Sequence, residues 1–254
     1  MRVGRRDFIK TLLVGVAGIS IYGYLEPIQV EVNKVRFNLG LNKKVLFITD
    51  THLHGVELLD KKIIKIISRL IGEADLVLLG GDQYDEMTPN LNVLHEFLNV
   101  ITQKEAYYVN GNHEHWSNNK FPLKEVEQFY SRYGLEPLNN KALWIDNIIV
   151  GGLDWIFDEP SIAREYASKV GEVDILVSHT PDSFAYVTQG YKLMLAGHTH
   201  GGQILNGMLG TNSRMGYVSG IYRDGDRIMY LSRGAGEMLP IRLLTPREIT
   251  LIEV

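Results

Sequence analysis

The stretch "MLAGHTHGG" (Met194–Gly202) places two histidines one residue apart behind an apolar run, with Gly197 before them and Gly201-Gly202 after. Similar groups recur behind other apolar runs. Val45 to Thr49 leads to Asp50-Thr51-His52, and Leu76 to Leu79 to Gly80-Gly81-Asp82. Ala106 to Val109 leads to Asn110-Gly111-Asn112-His113, and Ile175 to Val177 to Ser178-His179. Neutral imidazole with carboxylate and amide oxygen suits Zn, Mn or Fe. The chain has no cysteine, which removes thiolate ligands, disulfides and a cysteine nucleophile. Asp50, His52, Asp82, Asn112, His179, His198 and His200 offer seven side chains, more than one tetrahedral site takes. The set predicts two transition-metal ions about 3.5–4 Å apart, with a shared Asp82 as their bridge. Five of the eight histidines fall in these motifs. Of the others, His95 reads as structural, His54 as a candidate for substrate contact, and His115 has no assigned role.

For these groups to meet, the elements before them must end at one place. The apolar runs Val45–Thr49, Leu76–Leu79, Ala106–Val109, Ile148–Val150, Ile175–Val177 and Leu193–Ala196 read as strands. Between them, 57–71 has a broad helical apolar face, and 91–101 and 123–133 are shorter versions. Near-continuous apolar strands alternating with helices imply an α/β sheet buried on both faces. Ligands in such folds gather at the carboxyl ends of the strands, and glycines there let the backbone turn and approach closely. Beyond His200, residues 220–234 read as a hairpin turning at Asp224-Gly225, and 248–254 as a last strand.

At 254 residues the chain fits one large domain, assigned here to 28–254. The formal charge is −4, but Arg2, Arg5, Arg6 and Lys10 against Asp7 give the first ten residues +3, leaving about −7 for the remainder. An acidic body is a poor partner for long nucleic acid, and no stable complex with one is expected. "GRRDFIK" (Gly4–Lys10) precedes the 15 uncharged residues Thr11–Leu25, the order of an export leader. The double arginine resembles a twin-arginine signal, so residues 1–27 are expected to be such a leader, engaging the twin-arginine translocase, or a short membrane anchor. Fifteen helical residues reach only about 22 Å. Either form places the protein outside the cytoplasm, in the cell wall or at the membrane.

Five ordered blocks, "DTH" (50–52), "GDQYD" (81–85), "GNHE" (111–114), "SH" (178–179) and "GHTH" (197–200), resemble those of the calcineurin-like metallophosphoesterase superfamily. "GHTHGGQ" and "SRGAGEMLPIRLLTPREITLIEV" are similar to a bacterial and archaeal branch of exported or membrane-associated phosphodiesterase-like enzymes. The resemblance implies a four-layer αββα sandwich of two mixed β-sheets flanked by helices. It assigns one ion to Asp50, His52, Asp82 and His200, and the other to Asp82, Asn112, His179 and His198. His113 would face the leaving group, oriented by Asp85 as first choice and Glu114 as second. Glu86-Met87 stands where the serine/threonine phosphatases of the superfamily carry arginine and glycine, which argues against a protein phosphatase.

The implied chemistry is in-line hydrolysis of a small phosphoester by a hydroxide held between the ions, with His113 protonating the departing oxygen. Phosphodiesterase and phosphomonoesterase activities both fit, and a non-catalytic metal-binding scaffold is the rival of another class. In "QILNGMLG" (Gln203–Gly210), Ile204, Leu205, Met208 and Leu209 would suit the acyl chain of a phospholipid or nucleotide-lipid, or simply pack on their own sheet.

Overall fold

Along the central strands the apolar runs divide by period two, as alternate side chains leave opposite faces of a sheet. Val45 and Phe47 join one core while Leu46 and Ile48 join another, and Leu76 and Leu78 part in the same way from Val77 and Leu79. The structure, a computed structural model, describes residues 29–204, 207–208, 210–238 and 242–254. The expected leader, 1–27, lies outside them. Among the described residues no helix is long and apolar enough to cross a membrane.

The strands form two six-stranded sheets. In the first, β2 (Lys44–Ile48), β3 (Leu76–Leu79), β4 (Glu105–Tyr108) and β5 (Leu135–Pro137) run parallel, and β12 (Arg247–Glu253) pairs antiparallel with β2. β1 (Val30–Arg36) lies at the edge, parallel to β12. In the second, β7 (Ile148–Leu153), β8 (Ile175–Ser178), β9 (Leu193–Ala196) and β11 (Arg227–Leu231) are parallel. Its edges are the antiparallel β6 (Lys141–Ile145) and β10 (Gly220–Asp224).

Three apolar layers hold the architecture together. Phe47, Leu78, Val177, Leu195, Tyr230 and Ile252 fill the space between the sheets. Helices α1 (Glu57–Leu70), α2 (His95–Ile101) and α4 (Leu123–Ser131) cover the first sheet through Ile63, Ile67, Phe97 and Val126. Helices α5 (Pro160–Val170) and α6 (Ser183–Tyr186) cover the second, where Ala163 and Phe184 meet Leu176, Met194 and Met229. The αββα sandwich is therefore present.

Local departures have local causes. The 91–101 segment begins as a 3-10 turn, Leu91–Leu94, started by Asn90, whose side chain accepts the Asn92 N–H at 3.0 Å. Because Asp224 still pairs with Arg227, the hairpin turns at Gly225 and Asp226, one residue later than expected. The site residues follow β2, β3, β4, β8 and β9, so both sheets contribute to one crevice. The short helix α3 (Asn112–Trp116) starts inside it.

Candidate metal centre

Behind those strands the backbone turns through the left-handed region. Asp50, His52, Asp82, His198 and His200 have φ of 52°, 43°, 54°, 76° and 50°. A residue other than glycine held there costs about 1–3 kcal/mol and persists only when its surroundings over-determine it. Here the turns brace one another: Asp50 N–H donates to Gly81 O at 2.9 Å, and His52 N–H to Asp82 O at 3.1 Å. Glycine is needed beside them for space. A Cβ on Gly111 would lie 2.2 Å from Asp82 Oδ1, and one on Gly197 2.2 Å from Asp50 Oδ2.

The expected ligands converge as two groups. Asp50, His52 and His200 bring one ligand atom each within 4.8 Å of one another, and so do Asp82, His179 and His198. In the first group His200 Nε2 lies 3.6 Å from Asp50 Oδ1. In the second, His179 Nε2 lies 3.1 Å from Asp82 Oδ2, 3.0 Å from Asn112 Oδ1 and 3.2 Å from His198 Nδ1. Asp82 Oδ2 is also 3.8 Å from His52 Nε2, so one carboxylate oxygen faces both groups.

On His179, His200 and His52 the far ring nitrogen is tied down, which aims the near one. His179 Nδ1–H donates to Gly80 O at 2.8 Å, and His200 Nδ1–H to Gly236 O at 3.0 Å. His52 Nδ1 lies 2.8 Å from Asp85 Oδ2. His52 Nε2 is then buried with no hydrogen-bond partner among the described residues. A buried nitrogen without a partner costs about 1–3 kcal/mol, which a cation between His52, Asp50 and Asp82 would offset. The donor set thus fits two ions of the Zn, Mn or Fe type.

The electrostatics point the same way. Burial works against charge on Asp50, yet His200 and His179 hold its carboxyl below the usual range. Burial opposes charge on Asp82 too, and His179 drives it well below. Burial disfavours a charged His179, but the Asp82 carboxylate outweighs it and lifts the imidazole to about 10, so a cation bound there takes the place of that proton. His200 is pushed down to about 3 by burial. Carboxylates kept ionised among imidazoles have the charge that a metal site requires.

The expected support for His113 needs correction. Asp85 Oδ2 is taken by His52 Nδ1 and, at 2.7 Å, by His54 Nε2. Glu114 accepts the backbone N–H groups of Asp82, Gln83 and Gly111 at 2.7–2.8 Å, and so holds the GDQ and GNH turns together. The partner of His113 is Glu86, whose Oε2 lies 2.8 Å from Nδ1. His54 braces Asp85 at this site.

A cleft of about 290 Å³ opens over this cluster and is lined by Asp82, Asn112, His113, His198 and His200. Its other wall, Trp116, Trp155, Asp158 and Asn212, was not anticipated from sequence. The only signal there was Trp116, two residues past "GNHE". Leu205 and Leu209, expected near an acyl chain, lie outside the described residues, and Met208 is exposed.

A family model described as calcineurin-like phosphoesterase matches residues 43–202. A metallophosphoesterase of Helicobacter pylori strain J99 is 28% identical over 100% of this chain and 72% of its own. One from Campylobacter jejuni is 30% identical over 85% of this chain, which spans 60% of that relative's length. Escherichia coli phosphodiesterase YaeI is 27% identical over 99% of both chains. Among solved structures, TT1561 of Thermus thermophilus superposes with a TM-score of 0.50 at 13% identity, covering 76% of this chain and 90% of its own, a likeness of fold alone.

Proposed function

Since the chain belongs to the calcineurin-like phosphoesterase family and is a metal-dependent phosphoric ester hydrolase, we propose that it cleaves small phosphodiesters at a dinuclear centre. Asp50, His52, Asp82 and His200 would hold one ion, and Asp82, Asn112, His179 and His198 the other. The observation that carries this reading is the Asp82 carboxylate oxygen, which faces His179 at 3.1 Å and His52 at 3.8 Å. Ions bound there supply Lewis acidity, which activates water and offsets phosphoryl charge. The protein's own part is to orient and to move a proton. His113, on the rim of the cleft with Nδ1 fixed by Glu86, presents Nε2 as donor to the leaving oxygen.

The diester preference is supported by the phosphodiesterase name of the Escherichia coli relative, and Glu86, standing where protein phosphatases carry a phosphate-gripping arginine, argues only against a protein phosphatase. Asp82→Ala is expected to abolish turnover and to loosen both ions, read by elemental analysis and by rates on paired mono- and diesters. A variant that keeps its full metal content and rate overturns the assignment. Faster hydrolysis of monoesters by the wild type replaces the diester reading.

Action outside the cytoplasm rests on the arginine pair and apolar run of 1–27. Arg5→Lys with Arg6→Lys should strand the protein in the cytoplasm with its activity in lysate intact. Unchanged fractionation in a host with a twin-arginine translocase removes that reading.

A further inference from the structure

The second wall of the cleft takes no part in the chemistry above. Trp116 packs edge-on against the His113 ring at 4.8 Å and against Trp155 at 5.7 Å, and Trp155 overlaps Phe157 at 4.1 Å. These rings are fixed against one another, yet Trp116 is 54% and Phe157 44% exposed. Contiguous exposed aromatics mark binding sites far more often than scattered ones do.

The backbone beneath is held against its own preference. Phe157 and Asp158 are consecutive left-handed residues, φ 51° and 55°, anchored by the fully buried Ile156 and by Arg214 Nη1, which donates to Asp158 O at 2.9 Å. Strain of this kind collects where a fold presents side chains to ligands. Two polar atoms of this wall, Trp155 Nε1 and Asp158 Oδ1, are buried without a partner among the described residues. One is a donor and one an acceptor, and both residues line the cleft with His113.

We infer that this wall is the subsite for the leaving alcohol of the phosphoester and that it takes a nucleobase. The inference rests on the hydrolase reading above. Trp116 leans on His113, which places the wall on the side where the leaving oxygen takes its proton. A planar heteroaromatic ring can stack on Trp116 or Phe157 while its amino group and ring nitrogen meet Asp158 and Trp155. An acyl chain would cover the same rings but leave both polar atoms unpaired. The size of the cleft suits one nucleotide, and the net charge of −4 disfavours a long strand.

The test is calorimetric titration of the Mn-loaded full chain with adenosine 5′-monophosphate, hexyl phosphate and inorganic phosphate. The nucleotide should bind at least about tenfold more tightly than the hexyl ester. Trp116→Ala and Phe157→Ala should each weaken it about 5- to 100-fold, the span of base–aromatic stacking, with smaller losses for inorganic phosphate. Phe157 is exposed, so its variant keeps the test informative if Trp116→Ala misfolds. Equal or tighter binding of hexyl phosphate overturns the inference, as do equal losses for all three ligands. Turnover of ethyl 4-nitrophenyl phosphate, which has no base, reports on the reaction separately. Nucleotide preference without turnover of this diester or of 4-nitrophenyl phosphate sinks the hydrolase reading and keeps a nucleobase site, whereas turnover without preference does the reverse.

Discussion

At the scale of single residues the decisive pair is Glu86 and His113, joined at 2.8 Å. A proton donor matters in proportion to how badly the leaving oxygen needs a proton, and general acid catalysis contributes about 10²- to 10⁴-fold. His113→Ala should therefore cost that much on an alkyl diester and little on a nitrophenyl one, with both ions retained. Glu86→Ala should cost about tenfold on the alkyl substrate by freeing the imidazole, a share of the same effect. Glu86→Gln can still accept from Nδ1–H, so it should recover most of that rate and displace the pH–rate profile. Wild-type alkyl rates in a fully loaded Glu86→Ala protein would remove Glu86 from the assignment. The convergence of the seven expected ligands was legible because each follows an apolar run and leaves a strand end into the same crevice. The partner of His113 was not. Asp85 and Glu86 are adjacent carboxylates that diverge from one turn, and only the tertiary positions of His52 and His54 claim Asp85 and leave Glu86 for His113.

At the scale of elements, the turns after β2 and β9 pack without a spare atom. A Cβ at Gly197 would meet Asp50 Oδ2 at 2.2 Å and Thr49 Oγ1 at 2.3 Å, whereas one at Gly72 would meet nothing within 4 Å. Gly197→Ala should destabilise by about 1–3 kcal/mol, the range for overpacking, and shed metal from the Asp50 group. Gly72→Ala should be neutral or slightly stabilising, since it only narrows the unfolded ensemble. Thermal unfolding and metal content of the two variants check this, and equal metal content in both would sink it. The central strands were readable because burial on both faces makes every position apolar. β1, "VEVNKVR", escaped because it is an edge strand with exposed positions throughout, and β5 because three residues ending in proline lack a strand signature. Helix α5 carries its start signal, Pro160 in the first turn, but its apolar face is narrow, with only Ala163 and Val170 fully buried.

At the scale of the whole molecule, the C-terminal segment returns beneath the metal centre and is pinned there by one buried carboxylate. Glu237 Oε2 accepts Arg242 Nε at 2.7 Å and Arg247 Nε at 2.9 Å, and Oε1 pairs with Arg247 Nη2. Arg242 in turn donates to Gly236 O at 2.6 Å, the carbonyl that also orients His200, so this ion cluster joins β12 to a proposed ligand. Removing one member of a buried cluster leaves the others uncompensated, at a cost of about 3–5 kcal/mol. Glu237→Gln should show that loss in urea unfolding at pH 7 after metal removal. The pH dependence follows from the direction of the shift. Burial opposes charge on Glu237, but Arg247 and Arg242 outweigh it and hold the carboxyl below the usual range. A carboxylate with a lowered folded pKa stabilises fully above its unfolded value of about 4.3, and the contribution disappears as pH falls through the folded value. The gap between wild type and Glu237→Gln should therefore be full at pH 7 and narrow steadily below about pH 4.3. A gap of constant size down to acid pH would mean that Glu237 acts by shape and hydrogen bonding alone, and that its charge does not hold the segment in place.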